Sequence, residues 1–242
     1  MLEPIDSKIA FEYLQNAVMM LDDNDDVLHI ELLGYIASCL MRMGNYLGVI
    51  ECVDNVLNKL PDNMDFEKVL IKCRTVTPLL KLGNYGQLIN NVEIELLPEL
   101  EKILSKGKDT QIIQIKDLFH IWLSIYFDYA EALIFQGNSR AFEVIQTIYE
   151  IIEKNKTNEI EFICKANLLL ALANTIKGDI KTSKQILEDM LKTYSPNNLS
   201  TYIVSRWNFI DILNKFFEKE YLTLQTELFN VVSYANNVND NF

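Results

Sequence analysis

The chain has 242 residues, of which 49% are hydrophobic and 23% charged, with 34 acidic against 22 basic residues and a net charge of −12. That length and apolar share allow a continuous core and exclude wholesale disorder, while the negative charge excludes a nucleic-acid binder, which must neutralise phosphates. Gly and Pro are scarce, at 8 and 5 residues, and β-type alternation is hard to find, so the chain reads as all-α.

Ala10 to Asp22 carries two small residues, Ala10 and Ala17, seven apart on one helix. It resembles the second helix of a pair without its first, so it is expected either to cap the chain or to leave an apolar face open for a partner at this end. The acidic run Asp22-Asp23-Asn24-Asp25-Asp26 follows and reads as a solvated surface. From Ile30 to Asn63 two amphipathic helices flank a Gly44-Asn45-Tyr46 turn and close at Pro61-Asp62-Asn63. Leu33, Ile36, Ala37 and Leu40 mark the inner stripe of the first helix, and Val49, Val53, Val56 and Leu57 that of the second. Glycine supplies the left-handed conformation such a turn needs.

Further turn glycines stand at Gly83, Gly137 and Gly178. A first helix around Phe66 to Leu82 contains Pro78, which predicts a kink. A second helix starts near Gln87 and is expected to kink or restart at Pro98. Ser105-Lys106-Gly107-Lys108-Asp109 is the clearest loop. A long apolar helix is expected from about Gln111 to Phe135, and its partner from about Ala141 to Glu153. Asn167, Leu170, Ala171, Gly178, Ser183, Met190 and Pro196-Asn197-Asn198 repeat the phase of the Ile30–Asn63 stretch. A last pair is expected from Thr201, with its closing helix over about Tyr221 to Val232, before a polar tail from Ala235 to Phe242.

The unit formed by Leu33, Ile36, Ala37, Leu40, Gly44, Tyr46, Val49, Val56 and Pro61 resembles a tetratricopeptide repeat, a helix–turn–helix unit of about 34 residues. Two of the family's three small positions are enlarged, at Val49 and Val56, and the turn glycines are spaced more widely than a strict array allows. The resemblance implies one right-handed α-solenoid of antiparallel helix pairs over residues 1–242: a half repeat at 5–22 and degenerate repeats near 30–63, 66–104, 111–153, 161–198 and 201–234.

Chemistry is harder to find. There is no phosphate-binding glycine loop, no nucleophile elbow and no zinc-binding helix motif. His120, beside Trp122, reads as packed at the core rather than as a general base, and Asp128 with Glu131 as ordinary surface. Cys39, Cys52, Cys73 and Cys164 are scattered without ligand spacing and read as free thiols of a reducing compartment. No enzyme, cofactor or metal is expected. The start, MLEPIDSKIAF, shows no signal peptide, no run reaches the roughly 18 apolar residues of a membrane span, and the sequons at Asn155 and Asn198 carry little weight without a secretory signal.

In a repeat array the occupied surface is the groove lined by first helices. Counting from the first repeat, it is expected to use Gly34, Ser38 and Met41; Cys73, Thr77 and Leu80; Phe127, Glu131 and Ile134; and Leu168 and Leu172. The set is largely apolar and fits a partner's helix or extended segment. Arg42, Arg74, Lys81 and Lys165 do not reproduce the carboxylate-binding set of the family's co-chaperone members.

Trp207 to Leu213, Lys219-Glu220-Tyr221, Leu228 to Val232 and the closing Asp240-Asn241-Phe242 are similar to the C-terminal end of the subunit-twelve family of the TRAPP vesicle-tethering complex. The chain lacks that family's long N-terminal region. The resemblance implies a non-catalytic interaction scaffold, a subunit of a multiprotein complex in traffic between endoplasmic reticulum and Golgi. Such a protein is cytoplasmic and peripheral at those membranes. The alternative reading is a regulator that closes around a short peptide.

Overall fold

Gly44, Gly83, Gly137 and Gly178 all adopt left-handed backbone, with φ of 71°, 73°, 65° and 90°. Each ends a helix in the same way: its own N–H donates to the carbonyl three residues back, and the next N–H to the carbonyl five residues back. The second bonds, from Asn45 to Leu40, Asn84 to Leu79, Asn138 to Leu133 and Asp179 to Asn174, are all 2.9 Å. This is the Schellman closure, and only a residue without a Cβ takes it without strain. At Gly44, Gly83 and Gly178 the next residue caps the following helix, whereas after Gly137 a short turn intervenes and the next helix begins at Ala141. Asn45 accepts from the Gly48 N–H at 3.1 Å and Asp179 from the Thr182 N–H at 3.2 Å, satisfying donors that a helix start leaves open.

The computed structural model describes residues 6–20, 26–60, 65–106, 115–155, 159–195 and 198–218, and these are helical with short connections. The Asp22–Asp25 part of the acidic run, Pro61-Asp62-Asn63, residues 107–109 of the expected loop, Pro196-Asn197, and everything from Lys219 onward lie outside the described residues. The chain groups into two compact units, Met1–Asp128 and Tyr129–Phe242.

In the first unit α1 (Ser7–Met19) packs on α2 (Asp26–Arg42), and α2 on α3 (Tyr46–Lys59). Ile36, Ala37, Leu40, Val49, Cys52 and Val53 form a buried cluster, with Phe11, Leu14, Val18 and Leu33 packed against it. Burying these apolar side chains is the main force holding the hairpin together. α1 has no fully buried residue, and Ile9, Tyr13, Met19 and Met20 are exposed on it.

The helix expected around 66–82 is two helices, α4 (Asp65–Cys73) and α5 (Val76–Lys81), rather than one kinked helix. Pro78 lacks an N–H, and its ring would collide with the carbonyl four residues back, that of Arg74, so the chain breaks at Arg74-Thr75. The Thr75 hydroxyl donates to the Lys72 carbonyl at 2.8 Å and closes the break. α6 (Tyr85–Asn91) leads through a π-helical turn (Val92–Leu96) into α7 (Leu97–Lys106), so the irregularity ahead of Pro98 is a widened turn. Leu88, Val92, Leu96 and Leu100 are buried along this stretch. α8 runs from Ile115 to Phe135, and the division between units falls within it.

In the second unit α9 (Ala141–Lys154) and α11 (Ile180–Thr193) pack on α10 (Ile160–Lys177), and α12 (Thr201–Phe217) packs on both α10 and α11. α10 is therefore enclosed on several sides, and its buried residues run from Cys164 to Thr175 round the helix. Ala166, Ala171 and Ala173 let the neighbouring backbones approach. Three fully buried polar side chains tie these helices together. Thr175 Oγ1 donates to Asn214 Oδ1 at 2.7 Å, Asn214 Nδ2 donates to Ser183 Oγ at 3.0 Å, and Ser183 lies 2.8 Å from Thr175 Oγ1. Each hydroxyl has one proton, so Ser183 donates to Thr175 and the bonds form a closed circuit.

Candidate functional site

Gly34 sits in the middle of α2, where glycine costs about 0.5–1 kcal/mol against alanine. The reason for it lies across the first unit. Nη1 of Arg74, at the α4–α5 break, donates to the Gly34 carbonyl at 2.7 Å. A Cβ at position 34 would stand 3.2 Å from that nitrogen, closer than is comfortable, and the guanidinium would have to shift by a few tenths of an ångström. The hydroxyl of Ser38 donates to the same carbonyl at 3.0 Å. Two polar groups, one on α2 and one at the α4–α5 break, thus converge on one oxygen.

They stand at a cavity of about 360 Å³. Its apolar lining comes from Leu33 and Ala37 of α2, Val53 and Val56 of α3, and Ile71 of α4, with Glu31 and Tyr35 on the same lining. Cys52 also lines it and donates its thiol to the Leu33 carbonyl at 3.3 Å. Burial pushes that thiol's pKa up, partly opposed by the nearby Arg74 charge. Among the described residues no carboxylate is paired with Arg74, whereas Arg206 in the second unit holds Glu131 at 2.6 Å. Two smaller clefts, each about 180 Å³, lie beside Lys72 and Glu95 in the first unit and beside Phe142 and Lys177 in the second.

Of the residues expected to line a groove, Gly34 and Ser38 meet at this cavity. Met41 is half-buried and packs against the α2–α3 cluster. Cys73 is half-buried, with its thiol pushed up to about 12 by desolvation. Thr77 donates to Asp128 Oδ2 at 2.5 Å, and Phe127 beside that carboxylate is half-buried. Glu131 is bonded to Arg206 and only 13% exposed. Leu80, Leu168 and Leu172 are buried in the packing of their own units, and Ile134, also buried, lines the cleft beside Phe142 and Lys177. α10 is apolar on several faces, so counting in register from the first repeat could not separate its outer side from its inner ones.

Arg74 was missed as a site residue because the sequence sets it among scattered cations, 40 residues from its partner. The available signal was Gly34 itself, a helix-interior glycine with no turn to make. His120 is half-buried, with its ring centroid 5.7 Å from that of Phe119. Among the described residues no group of three or more His, Cys, Asp or Glu is placed to hold a metal ion, and no helix is long and apolar enough to cross a membrane.

Comparison of the chain with protein-family models, with curated proteins and with solved structures finds no match.

Proposed function

We propose that this protein is a non-catalytic interaction scaffold, a tetratricopeptide-like α-solenoid that works as a subunit of a larger assembly. The observation that carries the reading is the closure repeated at Gly44, Gly83, Gly137 and Gly178: the same helix end, four times, each followed within a few residues by the next helix. Repeated hairpins bury one face against neighbours and leave others for partners. The open side of α1, with Tyr13, Met19 and Met20 more than 70% exposed, supports the same reading. The likeness of the C-terminal residues to the TRAPP subunit-twelve family makes a vesicle-tethering complex, peripheral at endoplasmic reticulum or Golgi, the assembly of choice.

The test is a pull-down of the tagged chain from its source cell at near-endogenous level, with mass spectrometry of what co-purifies. Stoichiometric recovery of tethering-complex subunits is expected. A chain that elutes alone refutes the subunit reading.

A second reading, a regulatory protein that takes up a short peptide, is favoured by one observation. Ser38 and Arg74 converge on a single carbonyl beside an apolar cavity, as polar anchors of a peptide site would. A melting temperature raised by the peptide-sized fraction of cell extract, for a chain that purifies alone, is the result expected of it. No shift with that fraction refutes it.

A further inference from the structure

We infer that the α2–α3–α4 cavity is a docking site for an internal peptide segment of a partner protein, one that places an acidic side chain on Arg74 and one or two apolar side chains in the cavity. The inference deepens the scaffold reading by naming the chemistry of one contact, and it rests on that reading.

Charge complementarity selects the acid. A guanidinium has five N–H donors in a planar fork suited to a carboxylate. The Gly34 carbonyl takes one of them and fixes the fork's position, leaving the others for a ligand. This cation stands without a carboxylate partner among the described residues, in a chain with 34 acidic residues to choose from. Ser38 adds a second donor that can turn from the Gly34 carbonyl to a ligand oxygen. Glu31 on the same lining disfavours an anion that does not reach the fork, so a bare anion is poorly held.

Shape selects the apolar part. Leu33, Ala37, Val53, Val56 and Ile71 offer a hydrophobic floor, and about 360 Å³ is near the lower end for ligand sites. It takes a pair of side chains from a segment rather than a large cofactor. Both Arg74 and Ser38 are exposed, so a segment can reach them from solvent.

The test is fluorescence polarisation with three sets of fluorescein-labelled, C-terminally amidated nonapeptides on an Ala/Gln background. One set carries Leu-Leu-Glu at its centre, one carries Leu-Leu-Gln and one carries Ala-Ala-Glu. Amidation removes the terminal carboxylate, so only the side chain is read. The Leu-Leu-Glu set is expected to bind about tenfold more tightly than either control, the worth of one charge-assisted contact or of the lost apolar burial. Arg74→Gln should bring the Glu and Gln sets level.

Gly34→Ala gives an independent check, because alanine raises helix propensity while its methyl group crowds the guanidinium and shifts it off the Gly34 carbonyl by a few tenths of an ångström. Weaker binding together with an unchanged or higher melting temperature is expected, and an effect on folding alone would not produce that pairing. The inference is overturned by equal binding of the Glu and Gln sets, by discrimination that survives Arg74→Gln, or by no saturable binding of any set up to ~1 mM. Displacement of the Leu-Leu-Glu set by decanoate at equal potency overturns it in favour of a fatty-acid site. None of these outcomes touches the scaffold reading, which stands or falls with the pull-down.

Discussion

The circuit of Thr175, Ser183 and Asn214 makes a sharp prediction about the second unit. In Thr175→Val the Asn214 carbonyl loses its only donor and the Ser183 hydroxyl its acceptor, both fully buried. Each orphaned group costs about 1–3 kcal/mol, so the variant should lose about 2–6 kcal/mol. In Asn214→Leu the Thr175 proton turns to the Ala171 carbonyl, 3.0 Å away, and Ser183 still donates to Thr175. That variant loses two bonds at about 0.5–1.5 kcal/mol each but leaves no donor stranded. The double variant removes the stranded carbonyl of the first, so its cost should fall short of the sum by about 1–3 kcal/mol. The assay is urea unfolding followed by Trp207 fluorescence in a Trp122→Phe background, which reads the second unit alone. With m of about 1–3 kcal/mol/M, a coupling of that size moves the midpoint by roughly 1 M. Costs that add to within about 0.5 kcal/mol would refute the circuit.

Three further outcomes are expected. Hydrogen bonds from Thr182 hold the Asp179 carboxyl below its ordinary pKa, so its contribution to stability is complete above the unfolded carboxylate value and lost as pH falls through the folded one; melting temperature should decline with acid less steeply in Asp179→Asn than in the parent. Truncating Arg206 to alanine strands Glu131, with side chains only 22% and 13% exposed, and should cost about 2–3 kcal/mol in urea unfolding, while the pair Arg206→Met/Glu131→Leu should recover most of it. Ala37→Leu adds volume to the closed α2–α3 cluster and should lower stability by about 1–3 kcal/mol in thermal melts of the first unit.

The helix ends were legible in the sequence because their causes are local. A glycine, an adjacent Asn or Asp and the apolar stripe before it suffice to place Gly44 and Gly178, and the helix ending at Phe135 and the one opening at Ala141 have those ends in the structure. The prolines marked where the chain is irregular but not how. A missing N–H can be met by a kink, a break or a widened turn, and the surrounding packing decides. At Pro78 the result is a break, at Pro98 a π turn. The candidate site was legible in part. Gly34 and Ser38 follow from helical phase, but the pairing of Arg74 with Gly34 joins residues 40 apart, and that of Arg206 with Glu131 residues 75 apart. No local pattern encodes such a pairing. Nor does periodicity reveal an outward face on α10, where Leu168 and Leu172 proved to be core.

The π turn at Val92–Leu96 bears on geometry as well as on hydrogen bonding. Leu88, Val92, Leu96 and Leu100 are separated by four residues each, and all four are no more than 2% exposed. On a regular α-helix a four-residue step overshoots a full revolution by roughly 40°, so three such steps would carry the row about a third of the way round the cylinder. The wider turn needs more residues per revolution and takes back part of that overshoot. The local defect acts as a vernier: by underwinding one turn, it keeps a row of side chains pointing along a single line. Deleting one residue from it would lengthen the regular helix and at the same time swing Leu100 away from the neighbours it now meets.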